Sequence, residues 1–344
     1  MPHRTFFWFI LPSALAMLLF IALPIASVLV QSLYVEHPRV MSEVETCGPF
    51  KCTIEMRVDT EATAVLRQQE PLGKFNGVGT YTNRAHLAIS EVRAAFRESD
   101  SVGAFFGRLY NLPFYKALLF TLAYTFVVTP FVLLLGFMIA VAVNALPGLL
   151  KGPVIFVSLL PMIVTPLVGS LILFWMIDSE GIIGASLQYL LDNPELSLKA
   201  SPLLTWLTLF VYGVWHSAPF AFVVFYAGLQ TVPQDTLESA MIDGASRWER
   251  IRYVVIPYLM PLVTFVALIQ LMDNFRVFEP IVGFSASANA TSLSWLIFND
   301  LRGQEYQLFG SAAATSMLTI IGISILLLPV LIRTWREFNL RTGV

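Results

Sequence analysis

The chain is 344 residues long; 56% of its residues are hydrophobic and only 13% are charged, and its mean hydropathy is +0.71. Soluble globular domains carry about a quarter charged residues, so this composition excludes an ordinary soluble domain and favours a protein of the lipid bilayer. Binding to nucleic acid is also excluded, because the Lys and Arg residues form no basic stripe and the aromatic residues lie in apolar runs.

Six stretches of the chain are apolar enough to cross a bilayer, which takes about 20 mostly apolar residues. They are Phe6–Leu33, Phe114–Leu146, Val154–Ile177, Leu203–Val232, Pro257–Val282 and Ala312–Ile332. The first is too long for the apolar region of a secretory signal and no small-residue cleavage site follows it, so we expect a retained helix. The sequence therefore predicts an all-α membrane protein with six transmembrane helices. Prolines inside several spans indicate a bundle that lines a path.

The short connections between the spans predict the orientation, because cytoplasmic loops carry the excess of Lys and Arg. Two basic residues lie on one side, Lys199 and Arg302. Those on the other side are Arg4, Lys151, Arg247, Arg250, Arg252, Arg333, Arg336 and Arg341. We therefore expect a multi-pass membrane protein with both termini in the cytoplasm and the long segment 34–113 outside.

These spans divide the chain into four parts. We expect an accessory helix over 1–33, an outer segment over 34–113, a core of five membrane helices over 114–333 with a cytoplasmic loop at 233–257, and a cytoplasmic tail over 334–344. The outer segment is either a partly flexible loop or a small cap on the outer mouth, which we favour. Its predicted helix, Ala85–Glu98, places Leu87, Val92, Ala95 and Phe96 on one packed side.

Cys47 and Cys52 enclose four residues in the outer segment. The pair lacks the two further ligands of a structural zinc site, so no metal site is predicted. Free thiols and a small disulfide loop both fit the spacing. Because a disulfide forms in an oxidising compartment and the segment is predicted to lie outside, we favour the disulfide.

The loop between the fourth and fifth spans contains signals for two short helices. Asp235 and Glu238 have the spacing of a capping box, which predicts a helix start near Thr236. Gly244 suits the left-handed residue that ends a helix. A second capping box starts another helix at Ser246, and Pro257 is expected to limit it.

This loop resembles the EAA signature of the permeases of ABC importers. The matching runs are Glu238-Ser239-Ala240, Asp243-Gly244-Ala245 and Ile256-Pro257. Ser239 stands where the family has Ala and Ile256 where it has Leu; both are small changes of volume. The resemblance implies that the loop docks on a partner ATPase through Glu238, Ser239, Ala240, Asp243, Gly244 and Ala245.

The similarity extends from about residue 110 to 344. It includes the runs Phe114–Leu122, Ala227–Pro233 and Phe309–Ala314. The chain is similar to the larger of two non-identical permeases in carbohydrate or glycerol-phosphate importers of the maltose-transporter type. This implies a second, non-identical permease chain, two ATP-binding cassette ATPases and a periplasmic solute-binding protein as partners. The implied function is to form half of the path for a sugar or sugar-like polar solute across the bacterial inner membrane.

Charged and polar residues in the fifth span and at the middle of the fourth are the candidates for a substrate path. Ionisable groups in a bilayer are costly and usually line water or a partner. The candidates are Ser217, Phe220, Asp273, Asn274, Arg276 and Glu279. The last four form either a self-neutralising ladder of ion pairs along one helix or the lining of a solute path. By resemblance, Asn274 contacts sugar and Ser217 and Phe220 border it, although plain packing is the alternative for those two. His216 is interpreted as a satisfied interior histidine.

Motifs for catalysis are absent from the sequence. There is no phosphate-binding G-x-x-x-x-G-K-[ST] loop, no H-E-x-x-H and no G-x-S-x-G. We therefore expect no catalytic residues, no cofactor in this chain and no enzyme, with ATP and Mg bound by the partner ATPases. The alternative is an ion-coupled secondary transporter that uses the charges of the fifth span, but such a transporter has no need of the EAA-like loop.

Overall fold

The computed structural model describes residues 3–38, 40–47, 52–303 and 307–342, the side chains of 3–5, 46–47, 52–53, 55 and 337–342 excepted. The chain forms two compact units. One comprises Met1–Lys116 and Leu296–Ile320, and the other comprises Ala117–Trp295 and Ile321–Val344.

The first unit begins with an apolar span that makes little contact within its own unit. Helix α1 (His3–Met17) continues through a π-helical turn (Leu18–Ala22) into α2 (Leu23–Gln31). Residues 6–27 are all exposed. The wide turn lies directly before Pro24, and the Leu23 amide donates to the Leu18 carbonyl five residues back. This wider spacing lets the helix pass a residue that has no amide proton to donate and that crowds the preceding turn.

The 34–113 segment has defined secondary structure, including strands that the sequence did not predict. Its elements are β1 (Tyr34–Val35), β2 (Met41–Cys47), β3 (Cys52–Val58), α3 (Thr60–Gln69), β4 (Lys74–Phe75), α4 (Gly79–Thr82), α5 (Ile89–Glu98) and α6 (Val102–Tyr110). The strands form two antiparallel pairs, β1 with β4 and β2 with β3. Apolar and polar residues alternate along β3, which is the period of a strand.

The β2–β3 register bears on the predicted disulfide. Cys47 and Cys52 are directly opposite each other, and the separation of opposed Cα atoms in antiparallel strands lies within the range that disulfides span. Their side chains lie outside the described residues, so the disulfide stays a prediction.

The predicted helix over Ala85–Glu98 is shorter than expected, because α5 begins only at Ile89. The prediction of which side of this helix is packed is also partly wrong. Ala95 is buried, but Phe96 is 74% exposed. At 100° per residue, Phe96 lies on the flank of the helix and not on the face centred on Val92 and Ala95.

Buried His86, just before α5, connects this segment to the last span. Its Nε2 lies 3.1 Å from the hydroxyl of Thr315, and its Nδ1 lies 2.8 Å from Asn83 Oδ1. Burial lowers the pKa of His86, and burial raises the pKa of Asp300. Asp300 accepts a 2.7 Å hydrogen bond from Ser311 at the start of the same span. The contacts form a polar cluster at one end of that span.

The remaining elements are α7 (Pro113–Asn144), α8 (Gly148–Ile163), α9 (Pro166–Met176), α10 (Ile182–Leu190), α11 (Pro202–Leu229), α12 (Gln234–Ile242), α13 (Arg247–Arg250), a π-helical turn (Ile251–Val255), α14 (Ile256–Phe275), α15 (Glu279–Gly283), a 3₁₀ turn (Ala286–Ala288), α16 (Leu293–Arg302) and α17 (Phe309–Thr342). In the described part of the chain, five helices are long and apolar enough to cross a membrane, and a bent helix pair makes a sixth candidate. The predicted all-α membrane class is confirmed.

The third predicted span, Val154–Ile177, is not one continuous helix, so this prediction is corrected. Helices α8 and α9 meet at an angle of 94°. Val164 and Thr165 between them are extended. The ring of Pro166 disfavours helical geometry at the residue before it, so the break falls at this proline.

The fifth predicted span, Pro257–Val282, is wrong at both ends. A continuous helical run begins at Arg247 and ends at Phe275. Pro257 does not limit the second loop helix, because the π-helical turn directly before it widens the helix, as it does before Pro24. The far end stops where Arg276 leaves helical geometry.

The core of the second unit is apolar and aromatic, with Leu209, Tyr212, Phe222 and Phe225 almost fully buried. Helix α7 lies close to α11 at Gly136. A methyl group there would meet the Phe222 amide nitrogen at 2.8 Å. Close approach of two membrane helices at a small residue provides the packing contact that holds such bundles together.

Candidate functional site

The second unit contains a polar cavity of about 500 Å³. It is formed where α7, α11 and the end of α14 meet the break between α8 and α9. Its lining residues are Tyr124, Pro166, Tyr212, Gly213, His216, Ser217, Asp273, Asn274, Arg276, Val277, Glu279 and Pro280. Polar side chains predicted from separate spans are therefore brought to one place.

The broken span supplies one wall of the cavity. Its kink frees backbone carbonyls, and two residues of α11 satisfy them. Tyr212 donates a 2.7 Å hydrogen bond to the carbonyl of Pro166, and His216 Nε2 lies 3.1 Å from the carbonyl of Val164. Irregular backbone at membrane depth is tolerated where protein groups pair with it or where it borders a cavity, and this break has both features. The interpretation of His216 as an interior histidine with a partner agrees with this contact, although it also lines the cavity.

The end of α14 supplies the charged groups. Arg276 and Asp273 form an ion pair of 2.7 Å, and both side chains are 52% exposed. Glu279 begins α15 beyond the break after Phe275. Although both are described, Arg276 and Glu279 form no ion pair with each other. Of the predicted ladder of ion pairs along one helix, only the Asp273–Arg276 pair is present, because the helix ends before Glu279.

Asn274 is nearly buried and lies on the same helix turn. It is 5% exposed, and its amide Nδ2 donates a 3.0 Å hydrogen bond to the hydroxyl of Thr129 on α7. This bond fixes the plane of the amide at the edge of the cavity. Planar amides both donate and accept, which suits them to hydroxylated ligands.

Five of the six predicted path residues line the cavity: Ser217, Asp273, Asn274, Arg276 and Glu279. The sixth, Phe220, is not among the lining residues and packs against the apolar core.

The sequence interpretation missed Tyr124, Tyr212 and Pro166. Tyr212 and His216 lie four residues apart on α11, the spacing of neighbours on one helix face. That spacing was the available signal for Tyr212. No local pattern marks Tyr124, which is buried among other aromatic residues.

The 233–257 loop has the predicted two-helix form with a different start. Helix α12 begins at Gln234 after Pro233, so Asp235 lies in its first turn and the predicted Asp235–Glu238 capping box is absent from this described loop. Proline presets the backbone angle suited to the beginning of a helix, which explains the earlier start. The hydroxyl of Ser239 donates back to the Asp235 carbonyl at 2.8 Å.

Gly244 ends α12 as predicted, with φ at +80°. Its amide donates to the Met241 carbonyl at 3.1 Å, and the Ala245 amide donates to the Ala240 carbonyl at 2.9 Å. These two bonds form a Schellman motif, which satisfies the carbonyls left open at the end of a helix.

The second capping box is also confirmed. The hydroxyl of Ser246 accepts from the Glu249 amide, while the Glu249 carboxylate accepts from the Ser246 amide at 2.7 Å. The corner between the two helices is therefore fixed by hydrogen bonds on both sides of Gly244.

The loop exposes large apolar side chains next to its polar residues. Ile242 is 86% exposed, Trp248 65% and Tyr253 68%. Glu238, Asp243 and Gly244 are exposed, while Ala240 and Ala245 are half-buried. The loop therefore presents three large apolar side chains to its surroundings, on either side of the fixed corner at Gly244.

Several membrane helices around a polar cavity, with a rigid loop beyond the spans, define a transport permease. Residues 101–339 match the family of binding-protein-dependent transport system inner membrane components, and the chain belongs to this family. It is a membrane component of a transport system and not an enzyme.

Curated relatives and a solved structure agree with this assignment. The chain is 28% identical over 214 residues to the trehalose/maltose transport system permease protein MalF of Thermococcus litoralis, covering 60% of this chain and 70% of that one. It is 29% identical over 218 residues to the multiple sugar-binding transport system permease protein MsmF of Streptococcus mutans, covering 61% and 73%. A chain from a bacterial ABC transporter involved in the import of the acidic polysaccharide alginate has the same fold, with a TM-score of 0.58 at 18% identity over 80% of this chain and 96% of that one. The resemblance to ABC importer permeases is confirmed, and nothing supports the ion-coupled alternative.

Proposed function

We propose that this permease forms half of the path for a neutral sugar or a similar polyhydroxylated solute. The observation that carries the proposal is the cavity beside Asn274, which joins an oriented amide, two tyrosines and an ion pair. The names of its relatives, which include trehalose, maltose and multiple sugars, support a carbohydrate.

The charges of the cavity favour a neutral solute over an acidic one. Asp273 and Glu279 carry formal negative charges, and Arg276 carries the one positive charge among the lining residues. Since Arg276 is already paired with Asp273, the Glu279 carboxylate leaves the lining with an excess of negative charge. An acidic sugar would meet that charge without an unpaired cation among the described residues that line the cavity, and like charges in a partly desolvated site repel strongly.

The proposed driving force enters through the 233–257 loop. Glu238, Ser239, Ala240, Asp243, Gly244 and Ala245 form the surface that docks on a partner ATPase. ATP binding there would move α12 and α13, and the two permease halves would alternate between outward- and inward-facing states. The fixed corner at Gly244 supports this role, because a rigid contact transmits displacement where a flexible one absorbs it.

The proposed assembly contains two permease chains, two ATPases that bind ATP and Mg, and a periplasmic binding protein. Both termini of this chain face the cytoplasm, and 34–113 lies outside as a cap. Helix 1–33 is accessory, 114–333 is the core and 334–344 is a tail. A bacterial alginate ABC transporter with the same fold has been solved in complex with an alginate pentasaccharide-bound periplasmic protein, which supports such a partner here.

The test is uptake into vesicles that contain the assembled transporter. We expect Asn274→Leu to reduce uptake at least about ten-fold, because a site built to hydrogen-bond a hydroxyl discriminates strongly once that bond is lost. Gln270→Leu is the matched control. Gln270 is an amide one turn earlier on α14, it is 4% exposed, and it does not line the cavity.

A second control separates solute binding from packing. Thr129→Val removes the partner of Asn274 and keeps the amide. Wild-type uptake by Asn274→Leu would remove this residue from the path. Equal losses in Asn274→Leu and Thr129→Val would assign Asn274 to helix packing.

A further inference from the structure

Helices α5 and α6 are attached at three points to the ends of two membrane spans. The hydroxyl of Tyr115, in the first turn of α7, donates a 2.9 Å hydrogen bond to the carbonyl of Leu87 just before α5. His86 contacts Thr315 near the start of α17. Helix α6 ends at Tyr110, and α7 begins at Pro113. This geometry keeps both helices near the level at which the chain enters the bilayer.

Charges are separated across the two exposed flanks of α5. The buried face contains Ala88, Val92 and Ala95. At 100° per residue, one flank consists of Ile89, Arg93, Phe96 and Arg97, and the opposite flank consists of Ser90, Glu91, Ala94 and Glu98. The helix therefore has one basic and apolar flank and one acidic flank.

The aromatic side chain on the basic flank continues onto α6. The rings of Phe96 and Phe105 are 6.0 Å apart, and those of Phe105 and Phe106 are 5.6 Å apart. We call these three residues the aromatic patch. Phe96 is 74% exposed, Phe106 is 60% exposed, and Val102, one turn before Phe106, is 73% exposed. Scattered exposed apolar residues need no explanation, but a contiguous patch of this kind marks a contact surface.

The cations beside the patch are available for an external anion. Within the described residues Arg93 and Arg97 make no ion pair, whereas Arg108 of α6 pairs with Glu98 on the acidic flank at 2.6 Å. Exposed aromatic rings next to arginines, with acidic residues on the opposite side, are typical of a helix that lies in the plane of a membrane interface.

We propose that α5 and α6 lie on the bilayer surface at the start of α7. The aromatic patch dips about 5–10 Å into the boundary between headgroups and acyl chains, and Arg93 and Arg97 bind lipid phosphates. The acidic flank faces water. The contact holds the α5–α6 pair against the membrane and thereby positions the entry of the second span. It does not depend on which solute is transported.

Lipid is favoured over a protein partner because the patch lies on helices that are attached to the start of α7, where the chain enters the bilayer. Only Asn111 and Leu112 separate α6 from α7, the candidate membrane span whose first turn contacts Leu87 through Tyr115. A soluble binding protein that docked on the patch would have to contact a surface at the bilayer itself.

The experiment places the fluorophore NBD on single cysteines in a Cys47→Ser, Cys52→Ser background. The full-length chain is purified with its co-expressed partner chains and reconstituted in vesicles of phosphatidylethanolamine and phosphatidylglycerol, with and without lipids that carry a doxyl quencher on the acyl chain. Phe96→Cys and Phe106→Cys place the label on the patch. Ala94→Cys is the matched control on the acidic flank of the same helix.

We expect doxyl lipid to quench labels at 96 and 106 at least about two-fold and to leave the label at 94 almost unchanged, since only the patch reaches the acyl boundary. Replacing both arginines, as Arg93→Gln with Arg97→Gln, should reduce the quenching at 96 in phosphatidylglycerol vesicles more than in phosphatidylcholine vesicles. Equal quenching at 94 and 96 would overturn the proposal. So would a label at 96 that is shielded only after a solute-loaded binding protein is added, which would assign the patch to protein docking.

Discussion

Replacing Gly244 tests whether the fixed corner of the 233–257 loop matters for coupling. The residue has φ of +80°, and a Cβ built there meets nothing within 4 Å. Any penalty of substitution therefore comes from the backbone and not from a clash with neighbours. For a non-glycine residue the left-handed conformation costs about 1–2 kcal/mol.

That cost acts on the equilibrium between the observed corner and other loop conformations. A penalty of about 1–2 kcal/mol raises the population of the alternatives about 5- to 30-fold. We expect the smaller effect for Gly244→Ala and the larger for Gly244→Val, because branching at Cβ makes positive φ still less favourable. Gly244→Asn should stay close to wild type, since asparagine tolerates this conformation.

The assay measures solute-stimulated ATP hydrolysis by the purified complex together with the amount of ATPase that co-purifies. Gly152→Ala is the matched control: its Cβ also meets nothing within 4 Å, but its φ is not positive. We expect stimulated hydrolysis to fall in the order wild type, Asn, Ala, Val at position 244, with Gly152→Ala unchanged. Wild-type stimulation by Gly244→Val would refute the reasoning, as would an equal loss in Gly152→Ala.

Three further predictions concern other parts of the molecule. Mass spectrometry of non-reduced protein should show a peptide linked through Cys47 and Cys52, and maleimide labelling of both thiols without prior reduction would contradict this. Gly136→Val should destabilise the protein by about 1–3 kcal/mol, because the side chain would overpack against the α11 backbone; an unchanged melting temperature in detergent would argue against that packing contact. The Arg276→Ala variant should fold with the same yield as the wild type, because a half-exposed ion pair contributes at most about 1 kcal/mol, but it should take up less solute. A lower yield with unchanged uptake per molecule would show that the ion pair is structural.

Local rules predicted the parts of the structure that depend on a few neighbouring residues. Gly244 and the Ser246 capping box are examples, because the hydrogen bonds that define them lie within one turn of the chain. The coupling role of the loop comes from the family signature and stays a proposal, since local rules say nothing about it. The capping box at Asp235 failed because Pro233 starts the helix earlier, and both residues favour a helix start.

Features that depend on contacts between distant residues were harder to predict. Counting apolar residues predicted one continuous span through Thr165, where the structure has a kink. Length and composition do not reveal this kink, because its free backbone carbonyls accept hydrogen bonds from another helix. The same count also extended the predicted fifth span to Val282, although the helix ends before Arg276. Polar residues inside spans still identified five cavity residues, because placing such groups in a bilayer is costly enough to indicate function. The tyrosines of the cavity could not be found this way, since aromatic side chains are common in any apolar span.

Uptake by the reconstituted transporter tests the central claim most directly. The chain is incorporated into vesicles with its partner permease and ATPases, the binding protein and solute are supplied on the side of the 34–113 segment, and ATP is supplied on the side of the 233–257 loop. We predict accumulation of solute that requires both ATP and the binding protein and that persists when ionophores collapse the proton and sodium gradients. Accumulation without ATP that disappears with either gradient would contradict the account.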